Sequence, residues 1–402
     1  MRRHHCLPCF AFMVLVPVHV LAADPVPAGP SIGLEWNAHL RHEAVDDDAF
    51  VHRADAITLR LRAGLRAELG SGFSALLEAE GIAAARNHND GANGLTTYPA
   101  VVDPAGIELN QAWLGWKDER AGATLGRQRL LFDNQRWIGN SGWRQNEQIF
   151  DAAAFEWQPR LSFTARYARI DRVHRVSGED AIDPLAGKRD LDTHLFNLGW
   201  KHGAQQLAGY AYLHEDRDVA SASTATHGLR WTGSHLREGD GWGWTLEAAR
   251  QRDHAGNPQS FAHAYWLVEP TFTWYGITGR AGWEHLGGDG THALQAPLGT
   301  LHAFNGWADK FGTTPAGGLD DRWLGASGKF GRGAYARKFN WNIAWHDYRA
   351  DRGGRYGTEW NASLGFPLRG PLTDLVKFAD YSSNGFARDT GKWWLQLEWA
   401  HL

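Results

Sequence analysis

Apolar and polar residues alternate with a period of two along most of this chain. Within residues 31–43, one face carries Ile32, Leu34, Trp36, Ala38 and Leu40, and the other carries Glu35, Asn37, His39 and Arg41. Residues 57–69 repeat the pattern, with four leucines in one set and three arginines in the other. Successive side chains of a strand point to opposite faces, whereas a helix would scatter both sets around its circumference. The pattern therefore predicts strands with one apolar and one charged face.

The same alternation recurs to the end of the chain and predicts about eighteen strands. The predicted segments are 31–43, 57–69, 73–83, 107–117, 122–129, 149–158, 161–171, 191–201, 205–214, 225–234, 241–252, 261–274, 277–287, 321–330, 334–348, 356–367, 372–382 and 391–402. Most of them have about the length that a tilted strand needs to cross a bilayer, roughly 9–11 residues. An even number of such strands is typical of a bacterial membrane barrel.

The connections between these segments are alternately short and long. The tight turns are 70–72, 118–122, 158–160, 274–276, 331–333 and 368–370. The longer, polar connections are 44–55, 83–106, 130–148, 171–190, 252–260 and 288–320. Short periplasmic turns and long outer loops are how outer-membrane barrels are organised. The fold class we predict is all-β: a transmembrane, antiparallel, up-and-down β-barrel that forms one domain over residues 24–402.

A water-soluble β-sandwich is the structural alternative, because it also alternates apolar and polar residues. The number of strands, their length and the charged residues in the opposite stripe argue against it. No later segment approaches the roughly 20 apolar residues of a membrane helix, and the mean hydropathy is −0.44. The 21 tryptophans, 18 phenylalanines and 47 glycines suit the aromatic girdles and tight turns of a barrel.

The amino terminus predicts export from the cytoplasm. Arg2 and Arg3 precede an apolar run over residues 10–20, and small residues follow, so residues 1–23 are predicted to be a signal peptide that is cut after Ala22 or Ala23. Cleavage removes both cysteines and changes the net charge from −4 to −6, because two arginines and no acidic residue are lost. This balance gives no support to nucleic-acid binding. The predicted location is the outer membrane of a Gram-negative cell, in contact with its lipid.

The charged faces of the predicted strands and the loops next to them supply candidate residues for a solute path. The candidates are Arg60, Arg62, Arg66, Glu78, Glu80, Arg127, Arg129, Arg136, Arg144, Glu147, Arg166, Arg230 and Arg280. No catalytic motif, phosphate-binding loop or zinc-ligand spacing is present, so no catalytic residue, cofactor or metal is predicted. The acidic runs at 46–48 and 215–218 offer carboxylates to a divalent cation, but they lack a full ligand pattern and are read as solvated loops.

Several motifs resemble one family of outer-membrane barrels. They are Leu109-Asn110-Gln111-Ala112-Trp113, Leu125-Gly126-Arg127-Gln128-Arg129, the stretches 133–140 and 142–151, then 304–316, and finally 376–381 with 389–397. In these motifs the chain resembles the alginate export family. The resemblance implies an eighteen-stranded barrel in which arginines guide an anionic polysaccharide outward, past acidic partners that narrow the path. Carried over position by position, the family's arginines are Arg127, Arg129, Arg136 and Arg144.

Two readings of these residues stay open. The arginines either line the route of an anion, or Arg144, Asn146 and Glu147 brace a loop that folds into the barrel. The lumen stripes also carry acids beside the arginines, among them Glu35, Glu68 and Glu284. This mixed lining favours alginate less than a lining of arginines alone would.

The function that the sequence predicts is passive, charge-selective passage of anionic solutes, with an anionic polysaccharide such as alginate as one candidate. Periplasmic export partners are possible in that case. The alternatives are a general porin for small solutes, a barrel enzyme such as a lipase or acyltransferase, and a structural barrel with a blocked lumen. Loop 288–320 is the candidate lid or constriction.

Overall fold

The structure is a computed structural model that describes residues 30–330 and 339–401. Within these residues eighteen antiparallel strands form one sheet. In chain order they are β1 Ser31–Asp47, β2 Ala54–Gly70, β3 Phe73–Arg86, β4 Gly106–Lys117, β5 Ala121–Gln128, β6 Ile149–Arg160, β7 Phe163–His174, β8 Lys188–His202, β9 Gln205–His214, β10 Thr224–Arg237, β11 Asp240–Asp253, β12 Ala262–Trp274, β13 Ile277–Leu286, β14 Leu319–Phe330, β15 Phe339–Arg349, β16 Arg355–Arg369, β17 Leu372–Ser383 and β18 Thr390–His401. The predicted signal peptide, the turn at 331–333, the first five residues of the predicted strand 334–348 and Leu402 lie outside the described residues.

The sheet closes on itself. Each strand pairs with its neighbours in sequence, and β1 pairs with β18 in a register that sets Ala38 opposite Trp399 and Leu40 opposite Leu397. This confirms the closed, antiparallel barrel and the predicted number of strands. A helical turn at Pro184–Gly187 and two 3-10 turns complete the secondary structure of the described part. Of the helices in residues 30–330 and 339–401, none is long and apolar enough to cross a bilayer.

The two faces of the wall follow from the alternation. On β2, Leu59 and Leu61 are about half exposed on the outside, whereas Arg60 and Arg62 are buried on the inside. Near the short turns the outer face carries large aromatic side chains, among them Trp157, Trp200, Trp242, Phe272 and Trp274. Amphipathic rings of this kind occupy the boundary between hydrocarbon and water, so they mark one edge of the membrane-facing belt.

The first outer connection is shorter than the twelve-residue segment 44–55 that the sequence predicts. Strand β1 continues to Asp47 and β2 begins at Ala54, which leaves residues 48–53 as the connection. The strands extend because their alternation continues: Val45, Ala54 and Ala56 are buried together with Val101 of the next outer loop.

Two of the long connections fold into the barrel instead of standing above it. We call residues 129–148 the first inward loop and residues 287–318 the second inward loop. Their apolar side chains, including Trp137, Ile138, Leu294, Leu298 and Phe311, form one buried cluster with inward-facing residues of the wall. The apolar core of this protein therefore lies inside the barrel, where the sequence predicts a polar lumen.

Candidate functional site in the barrel lumen

The two inward loops support each other across the lumen. Ile138 of the first loop forms a parallel β-bridge with Leu298 of the second, and the Gly139 N–H donates to the Leu298 carbonyl at 2.9 Å. The Gln148 side chain donates to the carbonyls of Gly139 and Leu298 at 2.8 and 2.9 Å. Because backbone groups of both loops satisfy each other, the loops form one body within the lumen.

Glu147 anchors the first inward loop to strands β2 and β4. Its carboxylate forms ion pairs with Arg129 and Arg62 and accepts hydrogen bonds from Asn110 and Asn140 at 2.8 and 2.6 Å. Burial acts to raise the pKa of Glu147, but the two guanidinium groups outweigh it and hold the pKa well below the usual range. Glu147 is therefore ionised, and its charge is balanced inside the protein.

Glu359 of β16 anchors the second inward loop. Its carboxylate accepts from the backbone N–H groups of Trp307 and Ala308 at 2.6 and 2.8 Å. The preceding residue, Gly306, has a φ of 84° and lies so close to Tyr348 and Glu359 that a Cβ would collide with both. Glycine is thus required at this close approach of loop and wall.

A lysine of the wall is enclosed by three tryptophans. The Lys377 Nζ of β17 lies 3.8 Å from the ring centroids of Trp143 and Trp307, which belong to the first and second inward loops. Trp394 of β18 is 5.3 Å away. A cation over an indole face is attracted by the ring quadrupole, and the attraction increases when water is excluded. Lys377 therefore holds both loops against the same part of the wall.

A chain of polar groups continues from this lysine. The Lys377 Nζ lies 2.6 Å from Nε2 of His302, and Nδ1 of His302 lies 2.6 Å from Asp309. Asp309 also contacts Lys392 at 2.8 Å and Arg144 at 3.1 Å. One carboxylate on the second inward loop thus joins that loop to β18 and to the first inward loop.

Acid should weaken the docking of the second inward loop. Burial and the nearby Lys377 hold the pKa of His302 well below 6.5 and outweigh the opposing effect of Asp309. When the loop is released, the pKa of His302 returns to its ordinary value near 6.5. Below pH 6.5 His302 therefore takes up a proton in the released state but not in the docked state, and this favours release. Asp309 acts in the same direction: burial raises its pKa, but His302 and Lys392 hold it well below 3.8, so its stabilising contribution is lost at still lower pH.

Single-channel recordings at pH 7 and pH 5 measure this effect. We expect more frequent high-conductance openings at pH 5. The variant His302→Gln cannot take up the proton and should lose most of the difference between the two pH values. Equal opening frequencies at both values in the unmodified protein would contradict the expectation.

The structure divides the candidate arginines by exposure. Arg136 and Arg144 are 3% and 12% exposed; Arg136 pairs with Glu284 at 2.9 Å and Arg144 with Asp309. Arg60 and Arg62 are buried beneath the first inward loop, and both donate to the Gln145 carbonyl. Each of these four arginines belongs to the first inward loop or contacts it.

Other candidates are accessible from the lumen. Arg66 is 37% exposed and pairs with Glu35, Arg166 is 40% exposed and pairs with Glu156, and Arg129 is 28% exposed beside Glu78 and Glu147. The remaining candidates pair within the wall: Glu80 with Arg62, Arg230 with Glu247 at 2.5 Å, and Arg280 with Asn342 at 2.8 Å. These groups face the lumen.

Arg127 lies on the outer face of the wall. In the register of β4, β5 and β6 it is beside Ala112 and Asp151, two residues from Leu125, whose side chain is 66% exposed on the lipid side. Its guanidinium pairs with Asp151 at 2.9 Å. The structure therefore places Arg127 outside the lumen path in which the sequence analysis puts it, because its position matches that of an outward-facing leucine.

The acidic runs are engaged by other groups of the protein. Asp47 pairs with Lys310 at 2.6 Å, Asp46 pairs with Arg53, and Asp216 pairs with Arg189 at 3.0 Å. A different group brings His, Asp and Asp together: one ligand atom each of His285, Asp320 and Asp351 lie within 4.8 Å of one another. Asp320 already accepts hydrogen bonds there from Trp283 and contacts His285 at 3.0 Å.

Comparison with known proteins gives a family and a fold. The family model described as Alginate export matches residues 35–286, more than half of the chain. Similar solved structures are OccAB3 of Acinetobacter baumannii (11% identity, TM-score 0.72, covering 92% of this chain and 99% of that chain), OccK9 (OpdG) of Pseudomonas aeruginosa (12%, 0.71, 92% and 98%) and OpdK of Pseudomonas aeruginosa with vanillate (12%, 0.70, 92% and 98%). At these identities the likeness shows the fold alone. A comparison with curated proteins found no match.

Proposed function

Because the chain belongs to the alginate export family and folds as an outer-membrane, porin-like barrel, we propose that it passes anionic solutes by passive, charge-selective diffusion. The substrate class we favour is small carboxylated solutes and saccharides, including uronate polymers such as alginate. A barrel of eighteen strands is wide enough to enclose an aqueous channel. The charge preference is then set by the side chains that remain accessible around the inward loops.

Three arginines near the short-turn end carry the proposal. Arg66, Arg166 and Arg280 face the lumen three or four residues from the ends of β2, β7 and β13 that adjoin short turns. These strands are spread around the barrel, so the guanidinium groups surround the opening that short turns mark as periplasmic. Positive charge at a mouth with low-dielectric walls raises the local concentration of anions.

Acidic partners keep this positive charge moderate. Arg66 pairs with Glu35 and Arg166 with Glu156, whereas Arg280 has an amide partner, Asn342. Conduction requires binding that is favourable enough for entry and weak enough for release. Paired arginines meet this requirement, because a passing carboxylate competes with a carboxylate that is already present.

Reversal potentials in a KCl gradient across a planar bilayer test the proposal. We expect the double variant Arg66→Gln/Arg166→Gln to lower the anion preference by several-fold, because it removes two positive charges and leaves Glu35 and Glu156 uncompensated. The complementary variant Glu35→Gln/Glu156→Gln should raise the anion preference. Both changes lie away from the contacts that hold the inward loops.

The matched control removes the same charge from the outer face. Arg169 and Arg172 of β7 pair with Asp192 and Asp190, and their side chains lie on the outward-facing register. Arg169→Gln/Arg172→Gln should leave the reversal potential unchanged. If this control shifts the potential as much as the lumen variants do, the arginines at the mouth do not determine selectivity.

A barrel that is closed at rest is the second candidate, and the buried cluster of the inward loops favours it. Recording the current through single refolded molecules distinguishes passive diffusion from a barrel that is closed at rest. A steady current supports diffusion through a permanently open path. Silence that ends when the inward loops are removed supports a closed barrel.

Export to the outer membrane also implies a mature amino terminus. We infer that residues 1–23 are removed after Ala22 or Ala23. The intact mass of the protein purified from outer membranes, compared with the mass calculated for both cleavage sites, tests this inference.

A further inference from the structure

Two arginines stand at the outer end of the lipid-facing wall. In the register of β10, β11 and β12, Arg250 lies between His227 and Ala264, and Arg252 lies between Ala225 and Ala262. The lumen-facing positions of β11 are the alternate ones, such as Glu247 and Gln251, which are buried. Arg250 and Arg252 therefore point away from the lumen.

Neither guanidinium group has a partner among the residues that the structure describes. Within residues 30–330 and 339–401, no ion pair or side-chain hydrogen bond is formed by Arg250 or Arg252. On the same pair of strands, the inward-facing Arg230 is held by Glu247 at 2.5 Å. The nearest acid in sequence, Asp253, accepts from the Phe261 N–H at 2.9 Å and lies on the inward register.

The two arginines border a recess on this outer face. The recess is open to solvent and has a volume of about 710 Å³; its lining includes Arg250, Arg252, His254 and Phe261, and also the carboxylate of Asp253. Alanines on the β12 side leave space beside the guanidinium groups, while Phe261 supplies an apolar wall. Residues two apart on a strand are separated by roughly 7 Å, so both arginines can reach oxygens of one headgroup.

The position along the wall indicates what fills the recess. Toward the middle of the membrane, the same face continues with Leu229 and Val268, which are 59% and 42% exposed. Trp266 and Trp283 lie in edge-to-face contact at this level on the neighbouring strands, as aromatic residues do at a membrane boundary. The arginines thus lie where the hydrocarbon ends and the headgroups of the outer leaflet begin.

We propose that Arg250, Arg252 and the recess beside them bind the phosphate-bearing headgroup of an outer-leaflet glycolipid. Guanidinium groups pair with phosphate oxygens in a bidentate geometry, and unpaired arginines at this depth gain most from such a partner. The bound lipid would stay on the outside of the wall, away from the solute path. This inference does not depend on what passes through the lumen.

Native mass spectrometry of the detergent-purified full-length mature protein tests the proposal. The probes are a bisphosphorylated lipid A, the same lipid with its phosphates removed, and inorganic phosphate. We expect one molecule of the phosphorylated lipid to bind in preference to its dephosphorylated form. Arg250→Gln/Arg252→Gln should weaken this binding at least about tenfold, because both charge-assisted contacts to the phosphate oxygens are lost.

Controls keep the result specific. Arg160→Gln/Arg237→Gln makes the same charge change near the short turns and should bind the lipid as the unmodified protein does. Arg250→Lys/Arg252→Lys keeps the charge and should retain part of the binding, and the heat-induced gel shift reports that each variant is folded. The proposal is overturned if the glutamine variant binds normally, if the dephosphorylated lipid or inorganic phosphate competes equally, or if a second copy of the chain occupies this face.

Discussion

Replacing residues 131–145 with a short glycine–serine linker should raise the single-channel conductance of the refolded barrel several-fold. This segment carries Trp137 and Trp143 into the lumen and supports the second inward loop through the contact between Ile138 and Leu298. Its removal eliminates one obstruction and withdraws the support of the other. The wall should remain intact, because its strands pair with each other independently of the loops.

The control for this replacement shortens a loop that stays outside the lumen. Deleting residues 255–259, between β11 and β12, should leave the conductance at the unmodified value. Circular dichroism of both variants should keep the spectrum of the unmodified barrel. A loop-replaced barrel that conducts no better than the unmodified protein would show that the narrowest point lies elsewhere.

Glu147→Gln should release the first inward loop. The change keeps the shape of the side chain but leaves Arg129 and Arg62 without their common anion beneath the loop. Removing one partner of a buried ion pair costs about 3–5 kcal/mol. A cost of this size raises the released fraction of the loop by about 100-fold or more, at 1.4 kcal/mol per factor of ten.

Trypsin cleavage after Arg136 and Arg144 measures this released fraction. While the loop is docked Arg136 is buried and Arg144 is only 12% exposed, so cleavage requires release. Glu119→Gln makes the same chemical change in the exposed turn between β4 and β5 and should leave the cleavage rate unchanged. Resistance to trypsin in Glu147→Gln equal to that of the unmodified protein would show that the network of Glu147 is dispensable.

The wall of this barrel could be predicted from sequence because each strand is determined by the alternation of apolar and polar residues within its own segment. Every strand has one face toward lipid and one toward the lumen. The chemical character of neighbouring residues such as Leu59 and Arg60 on β2 therefore shows which side chain faces outward and which faces inward. The same rule places Arg127 on the outer face, since it follows Ala123 and Leu125 at intervals of two. The family motif suggested the lumen for Arg127, and the local pattern was the better guide.

The interior could not be predicted in the same way, because its contacts join residues that are far apart in the chain. Lys310 reaches Asp47 across 263 positions, and Lys377 reaches His302 across 75. Long polar loops give no periodic signal that they turn inward. The one signal in the sequence was Lys377, a charged residue between Leu375 and Ala379 on the inward face of β17. A lysine among apolar inward-facing residues indicates that other groups of the protein contact it inside the barrel.

The pairing of β1 with β18 constrains the order in which this protein can be made. The seam joins residues 343 to 365 positions apart, so the wall stays unsealed until the last segment has been delivered. Until then the two edge strands of the open sheet would expose unpaired amide and carbonyl groups to hydrocarbon. Each unsatisfied group costs several kcal/mol of free energy. In the cell, a chaperone or insertion machine that shields those edge strands would protect the unsealed wall, and a chain lacking β18 should stall before closure and be degraded.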